Sequence, residues 1–299
     1  MRSLTQPDGV RRRLLQALAL SPLLAAWPSL AAARPDLRRI VSLEWSTVEL
    51  LLTLGVVPLG VADTHSYREW VKEPALPPGV VDVGLRTEPN LELLQQLRPS
   101  LLLLSAGYGP TPEALARIAP TLSLAFYDGS GQPLDSARKA LYLLADRLAL
   151  RPAADRHLAA FETLLAQTRV ALRPYGQRPV LLFSFLDAHH VLVFGKGSLF
   201  MNVLNELGIP NAWQGETNYW GSSVIGIEQL STVKGVRALC FDHGDRAQRD
   251  SIMASPLWRS LPIARDNAVS VVPAIWFYGS TSSAMRFCRL LPASLGVTS

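Results

Sequence analysis

Residues 134–172 read LDSARKALYLLADRLALRPAADRHLAAFETLLAQTRVAL, and no β-like run interrupts them. Leu141, Leu144, Ala145 and Leu148 recur at helical spacing, as do Leu158, Phe161, Leu164 and Leu165. Arg151-Pro152 separates the two stripes. Two successive helices are therefore expected, the second about 20 residues and about 30 Å long.

On either side of this segment the pattern changes to short apolar runs alternating with amphipathic ones. After a linker at Arg34-Pro35-Asp36, strands are expected at 39–43, 57–62, 80–84, 101–105 and 121–127. Between them, Ser46-Thr47-Val48-Glu49 reads as a capping box opening a helix through Leu54. Asn90 caps a helix to Leu97, and Thr111-Pro112 opens the next. The alternation resumes with strands at 180–186 and 191–194 and a helix from Ser198 stopped by Gly208 and Pro210. Gly226-Ile227-Glu228 leads a further helix, strands follow at 236–241 and 269–272, and a helix over 281–292 closes the chain. Repeated β–α alternation makes each half an α/β lobe with a mostly parallel sheet. The expected fold is α/β, two lobes joined by a long helix. The N-terminal lobe takes 34–133, the helical connector 134–175 and the C-terminal lobe 176–299.

At 299 residues the chain is longer than one hydrophobic core usually serves, and 48% hydrophobic with 18% charged residues describes a packed globular protein. Residues 1–33 read as an export signal. Arg11-Arg12-Arg13 precedes a short, proline-broken apolar run that ends in Ala31-Ala32-Ala33, predicting cleavage near Ala33 and a periplasmic product. The paired arginines suit the twin-arginine route, while Val10, where that motif prefers Ser or Thr, leaves an ordinary secretory signal open. This segment holds Arg2, Arg11, Arg12 and Arg13 against Asp8, so only about +2 of the formal +5 stays with the remainder. Nucleic-acid binding has little electrostatic support. For Cys240, at the end of a strand, and Cys288, in a helix, buried free thiols and a disulfide are both compatible with the sequence. Neither spacing suits a zinc site.

Ligands of such folds sit where loops leave the carboxyl ends of strands. Those loops carry Trp45, Trp70, Tyr108 and Trp276, and Trp213 and Trp220 bracket 214–219. Converging aromatics suit a largely apolar ligand. Arg86, between a strand end and a capped helix, offers forked donors to ligand oxygens; the structural alternative is an ion pair with Glu88 or Glu92. Arg68 and Lys72 are possible further cations. No nucleophile elbow, phosphate loop or paired-histidine metal helix occurs, and His65, His157 and His243 are isolated along the chain, so no catalytic residue and no metal ligand is assigned.

Six stretches carry a family resemblance: Leu43-Glu44-Trp45, 57–63, 82–90 (DVGLRTEPN), 105–110 (SAGYGP), 211–221 (NAWQGETNYWG) and 272–278 (VPAIWFY). Together they resemble the FhuD-type periplasmic hydroxamate-siderophore-binding proteins of ATP-binding-cassette importers. The resemblance implies a class III binding-protein fold with a shallow aromatic cleft between lobes joined by a helix. By position it implies that Arg86 and Tyr108 hydrogen-bond hydroxamate oxygens. Trp45, Trp70, Trp220, Trp276, Phe277 and Tyr278 would form the aromatic pocket, with Asn218 binding through water. It assigns Glu113 and Glu228, one per lobe, to docking on arginines of an inner-membrane permease. It also implies a monomer that is not an enzyme, with iron held only through the siderophore and no cofactor of its own. The alternatives are another cargo (a catecholate siderophore, haem or a corrinoid) or an exported siderophore-processing enzyme.

Overall fold

The computed structural model describes residues 34–244 and 246–297; the export signal read at 1–33 lies outside the described residues. The first lobe runs β1 (Ile40–Ser42), α1 (Trp45–Thr53), β2 (Gly60–Val61), α2 (Thr64–Trp70), β3 (Val81–Asp82), α3 (Leu91–Leu97), β4 (Leu101–Ser105), α4 (Pro112–Leu115) and β5 (Thr121–Leu124). Its strands are all parallel, in the order β3-β2-β1-β4-β5. Two helices follow, α5 (Pro133–Leu148) and α6 (Arg151–Ala171). The second lobe contains β6 (Val180–Phe185), β7 (His190–Phe194), α7 (Leu199–Leu207), β8 (Ser222–Gly226), β9 (Arg237–Asp242), α8 (Arg246–Ala254), α9 (Pro256–Ser260), α10 (Pro262–Arg265), β10 (Val269–Pro273) and α11 (Thr281–Ser294). Its sheet order is β10-β9-β6-β7-β8, with β7 antiparallel to both neighbours.

Local chemistry sets many of these boundaries. Asn90 Oδ1 accepts from Leu93 N at 2.9 Å and Ser198 Oγ from Met201 N at 3.1 Å, so both expected caps form. Strands β2 and β3 are shorter than expected: Pro58 brings no donor to the ladder, and Gly84, at φ +92°, turns the chain out of it. Strand β8 and helices α8 to α10 were not anticipated. The helix expected after Gly226 is a 3₁₀ segment, Ile227–Thr232.

Alternation along the strands sorts side chains into three apolar clusters. In β4, Leu102 and Leu104 face the outer helices of the first lobe, while Leu101 and Leu103 join a central cluster. In the second sheet, Leu181, Phe183, Val191, Val193, Ala238 and Cys240 face outward; Leu182, Leu192, Phe194, Leu239 and Phe241 face the same central cluster. Leu141 and Leu144 of α5, Leu158, Phe161 and Leu165 of α6, and Phe287 and Leu291 of α11 complete it. The two lobes thus share one continuous core, each buried Leu or Phe contributing about 1.5–3 kcal/mol. Arg138 on α5 binds Glu162 on α6 and Glu206 on α7, each at 3.0 Å, and fastens the helices at its edge. Cys240 and Cys288 are both free and buried, and burial pushes both thiols up to about 12, far from reactive thiolates.

The expected capping box does not form. The N-cap of α1 is Glu44, with no side-chain cap, and Ser46 Oγ instead donates to Tyr278 O at 2.7 Å. Glu49 is fully buried and accepts from Ser280 N (2.8 Å), Ser280 Oγ (2.7 Å), Ser283 N (3.3 Å) and Ser283 Oγ (2.7 Å). A carboxylate from the first lobe therefore caps the N-terminus of α11, 231 residues away in sequence. Burial pushes its pKa up, and the four donors oppose that rise.

Near the C-terminal end of β9, His243 donates from Nε2 to Ile275 O at 2.9 Å, since a carbonyl only accepts. It stacks on Trp70 at 5.3 Å and meets Phe277 edge-on at 5.0 Å. Burial lowers its pKa to about 4, so the ring is neutral at pH 7.

Glu49→Ala strands those donors at a buried helix terminus and is expected to cost roughly 2–4 kcal/mol of unfolding free energy. Chemical denaturation measures it; a loss below about 1 kcal/mol would show that Glu49 does not tie the lobes together.

Candidate functional site

In the first sheet the chain reverses direction of growth between β1 and β4, and a crevice opens outside the carboxyl ends of those strands. Glu44 follows β1, and Ser105 and Tyr108 stand at the end of β4. Here the two lobes enclose a cleft of about 350 Å³.

Arg86 enters it from the loop after β3, which is closed by a bridge between Gly84 and Pro89. The loop bearing Tyr108 lies against it: a Cβ on Gly109, at φ +77°, would come within 2.8 Å of Arg86 O, so only glycine permits this approach. The Arg86 guanidinium lies 3.7 Å over the Trp45 ring, 5.1 Å from that of Tyr108 and 5.6 Å from that of Trp276. Its Nη1 donates to both oxygens of Glu44 at 3.2 Å. The partner is therefore neither Glu88 nor Glu92, the two weighed from sequence. Glu44 is 6% exposed; burial pushes its pKa above the usual carboxylate range, against the pull of Arg86. Nε and Nη2 of Arg86 make no hydrogen bond among the described residues.

The second lobe supplies an apolar wall. Leu192 and Val224, paired across β7 and β8, line the cleft with Trp220, Trp276 and Tyr278. This wall is a sheet face as well as loops, which the expectation of strand-end loops alone did not include. Asn218 Oδ1 is committed to its own loop, accepting from Trp220 N at 3.0 Å and Ser222 N at 3.1 Å. Tyr278 is anchored through Ser222 Oγ at 3.0 Å, and Tyr219 donates across the lobes to Tyr127 O at 2.6 Å. The buried indole Nε1 of Trp276 has no hydrogen-bond partner among the described residues.

Arg86, Tyr108, Asn218, Trp220, Trp276 and Tyr278 thus line one cleft. Trp45, 2% exposed, lies directly beneath Arg86 as the first residue of α1. Trp70, the last residue of α2, and Phe277 lie behind the lining against His243. Neither Arg68, bonded to Thr64 O at 3.2 Å, nor Lys72 lines the cleft. Glu113 and Glu228 are exposed, each in the first turn of a short helical segment. Glu44, Ser46, Phe126, Tyr127, Leu192, Ser222 and Val224 line the cleft without having been singled out. For Glu44, a charged residue set between Leu43 and Trp45 at a strand–helix junction was the available signal. No cluster of three or more His, Cys, Asp or Glu able to hold a metal ion occurs among the described residues.

Residues 40–275 match the Periplasmic binding protein family. The iron(3+)-hydroxamate-binding protein FhuD of Escherichia coli K12 is 54% identical over 286 residues, 96% of either chain. The achromobactin-binding periplasmic protein of Dickeya dadantii is 28% identical over 279 residues, 89% of this chain and 88% of that one. Among solved structures, Vibrio cholerae FhuD with Fe³⁺-Desferal bound superimposes with a TM-score of 0.81 at 28% identity, covering 87% of this chain and 99% of the other. The chain belongs to the periplasmic binding protein family and, within it, to the FhuD group.

Proposed function

We propose that this cleft captures an iron(III)-hydroxamate siderophore in the periplasm and that the protein delivers it to an inner-membrane ATP-binding-cassette permease. The observation that carries the reading is the cleft's donor set: one guanidinium stacked among Trp45, Tyr108 and Trp276, in a wall of aromatic and aliphatic side chains. Three hydroxamates cancel the charge of Fe³⁺ and leave a nearly neutral complex with acceptor oxygens on its outside. Arg86 and the Tyr108 hydroxyl orient those oxygens, and ring faces cover the ligand backbone. Asn218, its Oδ1 already committed, has its amide N–H groups to offer through water. The siderophore fills the iron's coordination sphere, so the protein recognises only the chelate's outer surface and needs neither a metal ligand nor a cofactor. The E. coli relative's name supports this cargo. No bond is made or broken in this reading, and the protein acts as a monomeric carrier rather than an enzyme.

Trp45, Trp70 and Phe277 serve as the layer that holds Arg86 and the Trp276 loop in place. Glu113 and Glu228 are the docking carboxylates, one on each lobe, exposed and away from the cleft lining. Export through the N-terminal signal brings the protein to the compartment where this handover takes place.

Arg86→Ala should weaken binding of a ferric tris-hydroxamate roughly ten- to a hundredfold, the worth of a charge-assisted hydrogen bond. Titration of tryptophan fluorescence measures it, and unchanged affinity would remove Arg86 from the site. Joint replacement of Glu113 and Glu228 by alanine should leave that affinity intact and abolish ferric-hydroxamate uptake in cells. Normal uptake would end the docking assignment.

A further inference from the structure

We propose that a pocket where α1, α6 and α11 meet is a second binding site, for a small divalent oxyanion (a phosphate or a dicarboxylate), and that the bound anion ties the two lobes to the connector. The pocket shares no lining residue with the siderophore cleft, so it stands apart from the reading of that cleft. Leu52 and Thr53 come from the last turn of α1, at the end away from Trp45. The loop after α2 adds Glu73 and Pro74, and α6 adds His157. Ser282, Met285, Arg286 and Arg289 come from α11. The space between them is about 310 Å³.

Donors outnumber acceptors in this pocket. Arg286 and Arg289, three residues apart, stand on one face of α11, where like charges repel. Arg289 makes neither a hydrogen bond nor an ion pair among the described residues. The Arg286 side chain is only 12% exposed. Its Nη1 donates to Val71 O at 3.0 Å and its Nε lies 3.4 Å from Glu73, while Nη2 makes no hydrogen bond among the described residues. Glu73 is itself 68% exposed, so water screens its charge. Glu49, the other carboxylate that acts on Arg286, is taken up by Ser280 and Ser283. Burial lowers the pKa of Arg286 in spite of both carboxylates, so its charge is incompletely balanced. Burial and the charge of Arg289 likewise lower the pKa of His157, which Thr281 Oγ1 holds at Nε2 at 2.9 Å. Thr53 and Ser282 bond each other through their hydroxyls at 2.7 Å, which uses one of their two protons and leaves the other to donate.

Two guanidinium forks beside a spare hydroxyl match an anion that carries several oxygens. Chloride, a single centre, cannot engage both forks. An oxyanion held here would join Thr53 of the first lobe to α11 of the second, beside His157 of the connector, about one turn along α1 from the Glu49 cap.

Isothermal titration calorimetry with inorganic phosphate and, separately, succinate tests the site, with ionic strength held constant by chloride and no siderophore present. The wild type should show one site with a dissociation constant of about 1 mM or tighter, the worth of two charge-assisted hydrogen bonds. Arg289→Gln, a change at an exposed position, should weaken it about tenfold or more, and Thr53→Val should weaken it severalfold. Lys234→Gln, which removes a cation outside the pocket, should change nothing. Phosphate alone marks a tetrahedral-oxyanion site, succinate alone a dicarboxylate site, and either supports the assignment. The favoured anion should also raise the Tm of the wild type more than that of Arg289→Gln, a difference that general salt stabilisation would not produce. Binding of neither probe, or binding that both pocket variants leave unchanged, would overturn the site. An equal rise in Tm for the two proteins would overturn its role in tying the lobes.

Discussion

The structure depends on a single constraint: the inner faces of both sheets are buried against the same apolar cluster. Leu103 of the first sheet and Leu182, Phe194 and Phe241 of the second belong to it, together with one stripe each of α5, α6 and α11. Neither lobe can rotate far without opening a core packed at the density of an organic solid. Polar groups reinforce this at the interface. Glu49 of the first lobe caps α11, Ser46 binds Tyr278 O, and Thr53 Oγ1 meets Ser282 Oγ at 2.7 Å. The cleft is therefore a standing feature of the fold, bounded by elements fixed on both sides.

That rigidity explains how few polar groups the cleft uses. A preformed site spends little binding energy on ordering itself. Arg86 is held by Glu44 on one side and the Trp45 ring on another, and its loop is pressed by the one that carries Tyr108. Behind the lining, Trp70, Phe277 and His243 pack ring to ring and support Trp276. Two layers of aromatics thus do different work: the inner one fixes geometry, and the outer one offers surface to a ligand.

The parts of this arrangement legible in the sequence are those decided locally. The helical stripes of α5 and α6, the caps at Asn90 and Ser198, and the apolar strand at 101–105 depend on neighbours within a few residues, and each is where the pattern put it. The Ser46–Glu49 motif misled because tertiary partners won. Ser46 and Glu49 found Tyr278, Ser280 and Ser283 more than 200 residues away, which no local rule anticipates. The Arg86–Glu44 pair was missed for the same reason, its members being 42 residues apart. In the run Trp276-Phe277-Tyr278 the sequence shows three aromatics but not their directions; Trp276 and Tyr278 reach the cleft while Phe277 turns to His243 and Phe194. The short strand β8 begins in Ser222-Ser223, which carries no apolar alternation, so its face of the cleft was invisible.

A rigid, ready-made cleft of this kind takes a neutral iron chelate by ring contact and a few donors. A crystal structure with a neutral ferric tris-hydroxamate bound would decide this. The chelate is expected between the lobes, with its oxygens on Arg86 and the Tyr108 hydroxyl, and the lobes should superimpose on the unliganded protein as one body. A chelate seated elsewhere, or lobes that swing together to enclose it, would contradict it.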